Sequence, residues 1–228
     1  MLESAELPLL RVLGPQMAQV FAGLHRENGV DLRLGVTVAA LRGAGSAVTG
    51  VELGDGAVID ADAVVVGVGV TPNVDLARQA GLDVDDGVLV NASLRTSDAH
   101  VFAAGDVANA EHPVLRRRIR VEHWANALHQ PEVAARSILG RDAVYDRLPY
   151  FFTDQYDLGM EYVGYASADD DVVVRGDLEG REFVALWVRE GRVVAGMNVN
   201  VWDVTDRIRD LILAREPADA FELPAPSA

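Results

Sequence analysis

The chain has 228 residues, half of them apolar, which is enough to bury one large core or two modest ones. Its 35 acidic residues outnumber 20 basic ones, all of them Arg, and the net charge of −15 argues against nucleic acid or an anionic membrane as partner. The absence of cysteine excludes disulfides and thiolate metal sites within the chain, and the five histidines show no metal-ligand spacing, so we predict no metal.

No apolar run is long enough to cross a bilayer, and the first residues show neither the basic region nor the apolar stretch of a signal peptide. We therefore predict a cytoplasmic protein. From the start of the chain, an amphipathic helix follows Gly14, with Pro15 in its first turn and Gly29 as its end. Short strands are then predicted at 30–34, 36–41, 48–53 and 58–62.

The apolar run 63–68 is too short for a typical helix and suits a strand that is buried on both faces. It leads into a loop whose glycines and proline prevent regular structure and let the backbone approach a ligand closely. Further elements follow: a short helix at 74–80, a strand at 88–90, a strand at 101–104 and a helix at 122–139. Pro131 is predicted to kink that last helix or end it early. Buried strands alternating with helices and glycine turns indicate an α/β layered fold.

Beyond residue 148 the pattern becomes that of a small α+β domain with an antiparallel sheet. Strands are predicted at 163–165, 172–175, 183–189 and 193–199. Turns rich in Asp, Glu and Gly connect them, and a helix at 204–215 closes the unit. The last residues, 223–228, predict a loose tail.

Four stretches, in this order, together resemble the two-dinucleotide-domain flavoprotein reductases. They are residues 64–73 (VVVGVGVTPN), 94–107 (from LRTS to VFAAGDV), 121–127 (VEHWANA) and 149–159 (PYFFTDQYDLG). The last one narrows the resemblance to the ferredoxin and rubredoxin reductase branch, which is similar also to apoptosis-inducing factor. The resemblance implies an incomplete two-dinucleotide-binding-domain fold for FAD and NAD(P), followed by a small α+β C-terminal reductase domain. The implied domains are 1–72, 73–147 and 148–228.

In activity, the resemblance implies an FAD-dependent NAD(P)H:ferredoxin reductase, a flavoprotein that passes electrons from NAD(P)H through FAD to a ferredoxin-like 2Fe-2S protein or a rubredoxin. Asp106, after Gly105, matches the Asp that holds the ribityl chain of FAD in this family. The position is chemically suitable, because a carboxylate at the carboxyl edge of a buried strand can accept hydrogen bonds from sugar hydroxyls. An ordinary turn or helix-cap Asp is the alternative.

Two further regions are assigned to the cofactors by the resemblance. In the family, one loop lies beside the bound cofactors, and it corresponds here to Gly67, Gly69, Thr71 and Pro72. The alternative interpretation of these residues is a simple Gly-Pro turn. Glu3 matches an acid that bonds the adenosine ribose of the nucleotide. An acid there favours NADH, because it would repel the 2′-phosphate of NADPH, but a solvated terminal Glu is the alternative.

The stretch Glu122-His123-Trp124 opens a helix whose positive N-terminal end can stabilise negative charge on a reduced flavin. In related reductases an aromatic residue here lies near the isoalloxazine ring, between the flavin and the iron–sulfur partner. Trp124 matches it and is the predicted catalytic residue; a core tryptophan is the alternative. Phe152 is predicted to line the flavin pocket, although Phe151 and Phe152 could equally be core at a domain junction.

A dense basic cluster is formed by Arg116, Arg117, Arg118 and Arg120, the only such patch on this acidic chain. It lies just before the flavin-side helix, so we predict that it docks an acidic ferredoxin. A solvated basic loop is the alternative.

Neither GxGxxG phosphate-binding turn of the family occurs in this sequence, since the stretch at 67–72 is GxGxxP. We therefore predict that the isolated chain is poorly stable, cofactor-free and inactive unless another polypeptide supplies the missing half. Two alternatives remain. A disulfide or peroxide-type flavin reductase is the nearer, but the chain lacks the His–Glu segment that the resemblance would then require after residue 148. The other is a non-catalytic remnant or interaction module.

Overall fold

The protein is described by a computed structural model that covers residues 1–223; of the predicted tail at 223–228, all but the first residue lies outside the described residues. The chain divides into two compact units. The first comprises Met1–Gly69 with Ala166–Asp170, and the second comprises Val70–Tyr165 with the chain from Asp171 onward. Among residues 1–223, no helix combines the length and apolarity needed to cross a membrane.

The first unit contains one long helix and five short strands. The strands are β1 (Leu2–Glu3), β2 (Arg33–Leu34), β3 (Val38–Ala44), β4 (Ala47–Leu53) and β5 (Val58–Asp60). Strands β1 and β2 pair in parallel, whereas β3, β4 and β5 form an antiparallel meander. Helix α1 (Leu10–Glu27) is interrupted at Gly14, whose φ of 73° and ψ of 173° are not helical, so the regular helix begins at Pro15 as predicted. Met17, Phe21 and Leu24 on this helix are fully buried.

The predicted buried strand at 63–68 is wrong. The segment has no regular structure, and the side chains of Val65, Val66 and Val68 are 98%, 62% and 90% exposed. A strand that is apolar on both faces needs neighbouring strands and covering layers. Within residues 1–223 no strand pairs with this segment, so its sequence preference is not realised. The predicted strand at 101–104 is likewise reduced to an isolated bridge between Arg95 and Phe102.

The second unit begins with helix α2 (Asp75–Gln79) and a three-stranded sheet of β6 (Val88–Val90), β7 (Ala108–His112) and β8 (Arg117–Ile119). Strand β7 lies in the middle, parallel to β6 and antiparallel to β8. Helix α3 (Trp124–Ile138) runs through Pro131 and does not end early. One buried cluster joins the sheet to this helix through Val90, Leu94, Ala108, Ala110, Ala134 and Tyr145.

The C-terminal part of the second unit is a five-stranded antiparallel sheet in the order β11-β12-β13-β10-β9. Its strands are β9 (Tyr150–Gln155), β10 (Leu158–Gly164), β11 (Asp171–Asp177), β12 (Glu182–Arg189) and β13 (Arg192–Val199). Helix α4 (Thr205–Ala214) covers one face of the sheet. Gly196 on β13 allows this close approach, since a Cβ there would lie 2.4 Å from the Cγ2 of Ile208.

Candidate functional site

The turn at Gly105 is held on α3 by two buried amide side chains. The backbone N–H of Gly105 donates to Oε1 of Gln130 at 2.7 Å, and Nδ2 of Asn126 approaches the Gly105 carbonyl at 3.5 Å. Gly105 opens a single 3₁₀ turn with a φ of 78°, in the left-handed region that favours glycine. The turn between β6 and β7 is therefore fixed against the first half of α3.

The side chain of Asp106 lies next in this turn and is exposed. In the described part of the chain its carboxylate accepts no hydrogen bond, but its backbone carbonyl accepts one from Nη1 of Arg120 at 3.2 Å. Arg120 is itself held by Glu122 at 2.6 Å and by Asp86 at 3.0 Å, and its side chain is only 12% exposed. The hydrogen bond that Arg120 donates to Glu122, together with the neighbouring Asp86, raises the pKa of Arg120. Asp106 thus has a fixed backbone and a carboxylate that is free to accept donors.

His123 occupies the cap position of α3, with extended backbone and no side-chain cap. Its ring lies 5.0 Å from the ring of Phe151, and its Nδ1 is buried with no hydrogen-bond partner among the described residues. Burial lowers the pKa of His123, although the carboxylates of Asp106 and Glu122 oppose that shift. The imidazole is therefore neutral at pH 7 and has an unused polar atom at the start of the helix.

Two aromatic side chains near this helix start face outward. Trp124 is 68% exposed and Phe152 is 54% exposed. The alternation of β9 directs Phe151 to the opposite side from Phe152, where it stacks on Tyr162 at 4.7 Å and contacts His123. Phe151 is therefore the residue of this pair that contacts the helix start.

Asp106, His123, Trp124 and the amide clamp on Gly105 thus meet in one unit. Their chemistry fits a flavin nucleotide. The Asp106 carboxylate can accept hydrogen bonds from sugar hydroxyls, His123 has an imidazole nitrogen without a partner among the described residues, and the start of α3 can stabilise an anionic ring. No group of three or more His, Asp or Glu side chains placed to hold a metal ion occurs within residues 1–223.

The other predicted cofactor residues lie elsewhere in the chain. Glu3 ends β1, and its Oε1 accepts the backbone N–H of Ala5 at 2.8 Å. Gly67 and Gly69 belong to the same first unit and have open space where a Cβ would be. Thr71 and Pro72 lie in irregular backbone at the start of the second unit.

The basic cluster is divided by the structure. Arg118 donates to the carbonyls of Val90 and Asn109 and pairs with Glu111 at 2.9 Å, and Arg120 is paired as described above. Arg116 is exposed in the turn before β8. Arg117 lies over the ring of Tyr165, with its guanidinium carbon 5.0 Å from the ring centre.

Sequence reasoning missed the two amides that clamp Gly105. Gln130 lies 25 residues from Gly105 along the chain, so no local sequence pattern predicts the hydrogen bond between them. It also missed Glu161, whose carboxylate accepts hydrogen bonds from Tyr150, Asn198 and Thr205. The bonds to Asn198 and Thr205 span 37 and 44 residues, whereas Tyr150 lies on the strand that precedes Glu161.

Several curated relatives of this chain are named as ferredoxin reductases. It is 40% identical over 223 residues to the anthranilate 1,2-dioxygenase system ferredoxin–NAD(+) reductase component of Burkholderia cepacia, covering 96% of this chain and 54% of that protein. It is 34% identical to putidaredoxin reductase of Pseudomonas putida, covering 96% and 52%. The chain therefore spans about half the length of the curated relatives it matches.

Solved structures agree in fold. A ferredoxin reductase from Rhodopseudomonas palustris superposes with a TM-score of 0.87 at 34% identity, over 95% of this chain and 54% of that one. The covalent putidaredoxin reductase–putidaredoxin complex gives a TM-score of 0.89 at 34% identity, over 95% and 52%. These matches confirm the predicted α/β reductase fold with its C-terminal reductase domain.

Two family models cover most of the chain. The model described as pyridine nucleotide-disulphide oxidoreductase matches residues 1–130, and the model described as reductase C-terminal matches residues 150–228. The first covers more than half of the chain and contains the Gly105-Asp106 turn and the start of α3. The chain therefore belongs to the pyridine nucleotide-disulphide oxidoreductase family.

Proposed function

We propose that this chain forms part of an FAD-dependent NAD(P)H:ferredoxin reductase, which passes electrons from a nicotinamide nucleotide through FAD to an iron–sulfur protein. The observation that carries the proposal is the fixed Gly105-Asp106 turn beside the start of α3. Within one unit, it places the Asp106 carboxylate, which could accept hydrogen bonds from sugar hydroxyls, near the start of α3, which could stabilise an anionic flavin ring. A bound flavin would supply the step between a two-electron donor and a one-electron acceptor, while the protein holds and tunes it.

Within this proposal Asp106 accepts hydrogen bonds from the ribityl chain of FAD. The clamp by Gln130 and Asn126 sets the backbone of this turn, and Arg120 holds the Asp106 carbonyl. His123 offers its unpaired Nδ1, and Glu122 keeps Arg120 in place. The positive end of α3 would stabilise negative charge on a bound flavin.

Trp124 would lie between a bound flavin and the electron acceptor, because it is the exposed aromatic side chain at the helix start. Phe152 adds a second exposed ring, carried by β9. The partner is a ferredoxin-like 2Fe-2S protein or a rubredoxin. In the predicted docking cluster only Arg116 and Arg117 lack an acidic partner among the described residues, so a docking role rests on these two.

For the nicotinamide nucleotide we propose NADH over NADPH. Glu3 at the end of β1 is the acid that would take the ribose hydroxyls, and its carboxylate already accepts a backbone donor. Gly67, Gly69, Thr71 and Pro72 are proposed to approach the cofactors as a loop. The domain division at residues 72 and 147, and a cytoplasmic location, likewise stay predictions.

The test is an anaerobic absorbance titration of the chain with FAD and then NADH, alone and with a second polypeptide that carries two GxGxxG turns. We expect a bound-flavin spectrum that NADH bleaches only when the second polypeptide is present. Asp106→Asn should weaken FAD binding about tenfold, by loss of a charge-assisted hydrogen bond. The matched control is Asp142→Asn, an exposed carboxylate in the same unit that forms no hydrogen bond or ion pair among the described residues.

Two results would contradict the proposal. The first is equal FAD affinity for the Asp106 and Asp142 variants, which would remove the carboxylate from the flavin site. The second is a complemented protein that binds FAD but is not reduced by NADH, which would leave a flavin-binding module without the proposed electron transfer.

A further inference from the structure

A groove of about 380 Å³ on the second unit is lined by arginines from three separate parts of the chain. This arginine groove is defined by Arg116, Arg117, Arg192 and Arg215, with Arg189 also in its lining. Such a concentration of positive charge is unexpected in a chain with a net charge of −15. It also differs from the cluster in the sequence, because Arg118 and Arg120 do not line it.

Tight turns bring these arginines together. Arg116 has a left-handed φ of 53° in the turn before β8, and Arg215 has one of 57° at the end of α4. Arg192 opens β13 after the turn at Glu190, which has a φ of 51°. The backbone N–H of Val193 donates to the carbonyl of Glu216 at 2.9 Å, which ties the start of β13 to the end of α4. The backbone therefore fixes the convergence, although the side chains are long.

The charges of Arg116, Arg117, Arg192 and Arg215 are not paired with carboxylates within residues 1–223. Among the described residues, Arg116, Arg192 and Arg215 form no ion pair and no side-chain hydrogen bond, while Arg117 only lies over Tyr165. Glu190 is the only acidic residue in the lining. By contrast, Arg118 and Arg120 outside the groove are both paired with carboxylates. Like charges held close together repel, so a ligand with carboxylates would relieve that cost.

The lining of the groove also contains apolar residues, among them Val114, Val193 and Leu213. Guanidinium groups beside apolar side chains fit a polypeptide that offers Asp or Glu side chains together with apolar ones. A nucleic acid fits less well, because its extended phosphate backbone would also meet the acidic remainder of the surface. We infer that the arginine groove docks an acidic segment of a partner protein. This inference rests on the proposed function and deepens it, because it adds Arg192 and Arg215 to Arg116 and Arg117, which were proposed to dock the iron–sulfur protein.

The experiment is fluorescence anisotropy of the 228-residue chain with a fluorescein-labelled peptide of Asp, Glu and Leu at low salt. The test variant combines Arg192→Glu and Arg215→Glu. The matched control combines Arg136→Glu and Arg141→Glu, which changes the net charge equally at exposed positions outside the groove. Circular dichroism checks that both variants keep the fold.

We expect the wild-type chain to bind the peptide with an affinity that falls as salt rises. The test variant should lose at least about tenfold in affinity and the control less than about twofold, because only the first reverses charges that face the ligand. If the test variant is less well folded, the pair Arg192→Gln and Arg215→Gln should still lose affinity, by a smaller factor.

Three outcomes would overturn the inference. Equal losses in the test and control variants would show attraction by net charge alone. Absence of peptide binding at low salt would show that the groove takes no acidic polypeptide. Displacement of the peptide by duplex DNA at lower concentration than by unlabelled peptide would assign the groove to a phosphate backbone.

Discussion

Replacing Glu161 by Gln tests how the C-terminal sheet is held together. The carboxylate accepts hydrogen bonds from the Tyr150 hydroxyl at 2.7 Å, the Thr205 hydroxyl at 2.8 Å and Nδ2 of Asn198 at 3.1 Å. These donors lie on β9, α4 and β13. Glutamine has nearly the same size, but it replaces one acceptor oxygen by an NH₂ group, which donates, and it removes the negative charge. Because a hydrogen bond to a charged group contributes about 1.5–3 kcal/mol and the site is only partly buried, we expect a loss of about 2 kcal/mol in unfolding free energy.

The effect should depend on pH with a defined sign. Burial raises the pKa of Glu161, but the bonds from Tyr150, Thr205 and Asn198 outweigh it and the pKa is lowered. A lowered folded-state pKa gives stability above the unfolded value of about 4.3 that is lost as the pH falls through the folded value. The difference between wild type and Glu161→Gln should therefore close in acid. Burial and the Glu161 bond raise the pKa of Tyr150 to about 12, so its contribution is complete below about 10 and fades toward 12.

Urea unfolding followed by tryptophan fluorescence can measure this. Trp187 in β12 is fully buried, whereas Trp124 and Trp202 are exposed, so the spectral shift reports mainly the C-terminal sheet. Adding Tyr150→Phe to both wild type and Glu161→Gln completes a double-mutant cycle, with an expected coupling of about 1 kcal/mol. Equal midpoints for wild type and Glu161→Gln at neutral pH, or a difference that persists unchanged in acid, would refute the reasoning.

Three further predictions concern other parts of the chain. Gln130→Met should speed hydrogen exchange of the Gly105 amide while Gln130→Glu should not, because only the first removes the acceptor; equal exchange would contradict the clamp. Gly164→Ala should lower the unfolding free energy by about 2 kcal/mol or more in urea, since the φ is 108° and a Cβ would lie 2.5 Å from a carbonyl oxygen; an unchanged midpoint would count against this geometry. Val65→Asp with Val68→Asp should reduce aggregation seen by light scattering, because both side chains are exposed; unchanged scattering would show that the segment does not self-associate.

The C-terminal sheet was largely predictable because its strands are neighbours in sequence. The strands predicted at 172–175, 183–189 and 193–199 correspond to β11, β12 and β13 within a few residues. Each is joined to the next by a short turn, so alternation and turn residues carry most of the information. Strand β9 was not predicted, because its stretch of aromatic and polar residues shows no clean alternation.

The segment at 63–68 shows the limit of such patterns. Its valines favour a strand that is covered on both faces. The sequence pattern, however, does not show whether neighbouring strands are present to pair with it. Pairing is a property of the whole sheet, and the described residues provide no strand beside it. The prediction therefore failed on tertiary context rather than on local preference.

For the candidate site, the sequence indicated residues but not the bonds that hold them. The pattern predicted the Asp106 carboxylate at the carboxyl end of a strand at 101–104, whereas the structure has only a bridge there and places Asp106 in an exposed 3₁₀ turn. The bonds that fix the turn come from Gln130, Asn126 and Arg120, which lie 14 to 25 residues away. No sequence periodicity links these partners to the turn, so the bonds can be identified only when the positions of α3 and β8 are known.

The arginines between residues 116 and 120 show that a charged run in the sequence does not by itself form a charged surface. Once residues 117–119 form β8, successive side chains point to opposite faces of the strand. Arg118 and Arg120 then share one side, where Glu111, Asp86 and Glu122 pair with them. The remaining two meet arginines that lie more than 70 residues further along the chain, at the start of β13 and the end of α4. Half of the linear cluster is thus structural, and the positive surface available to a partner is assembled by the fold.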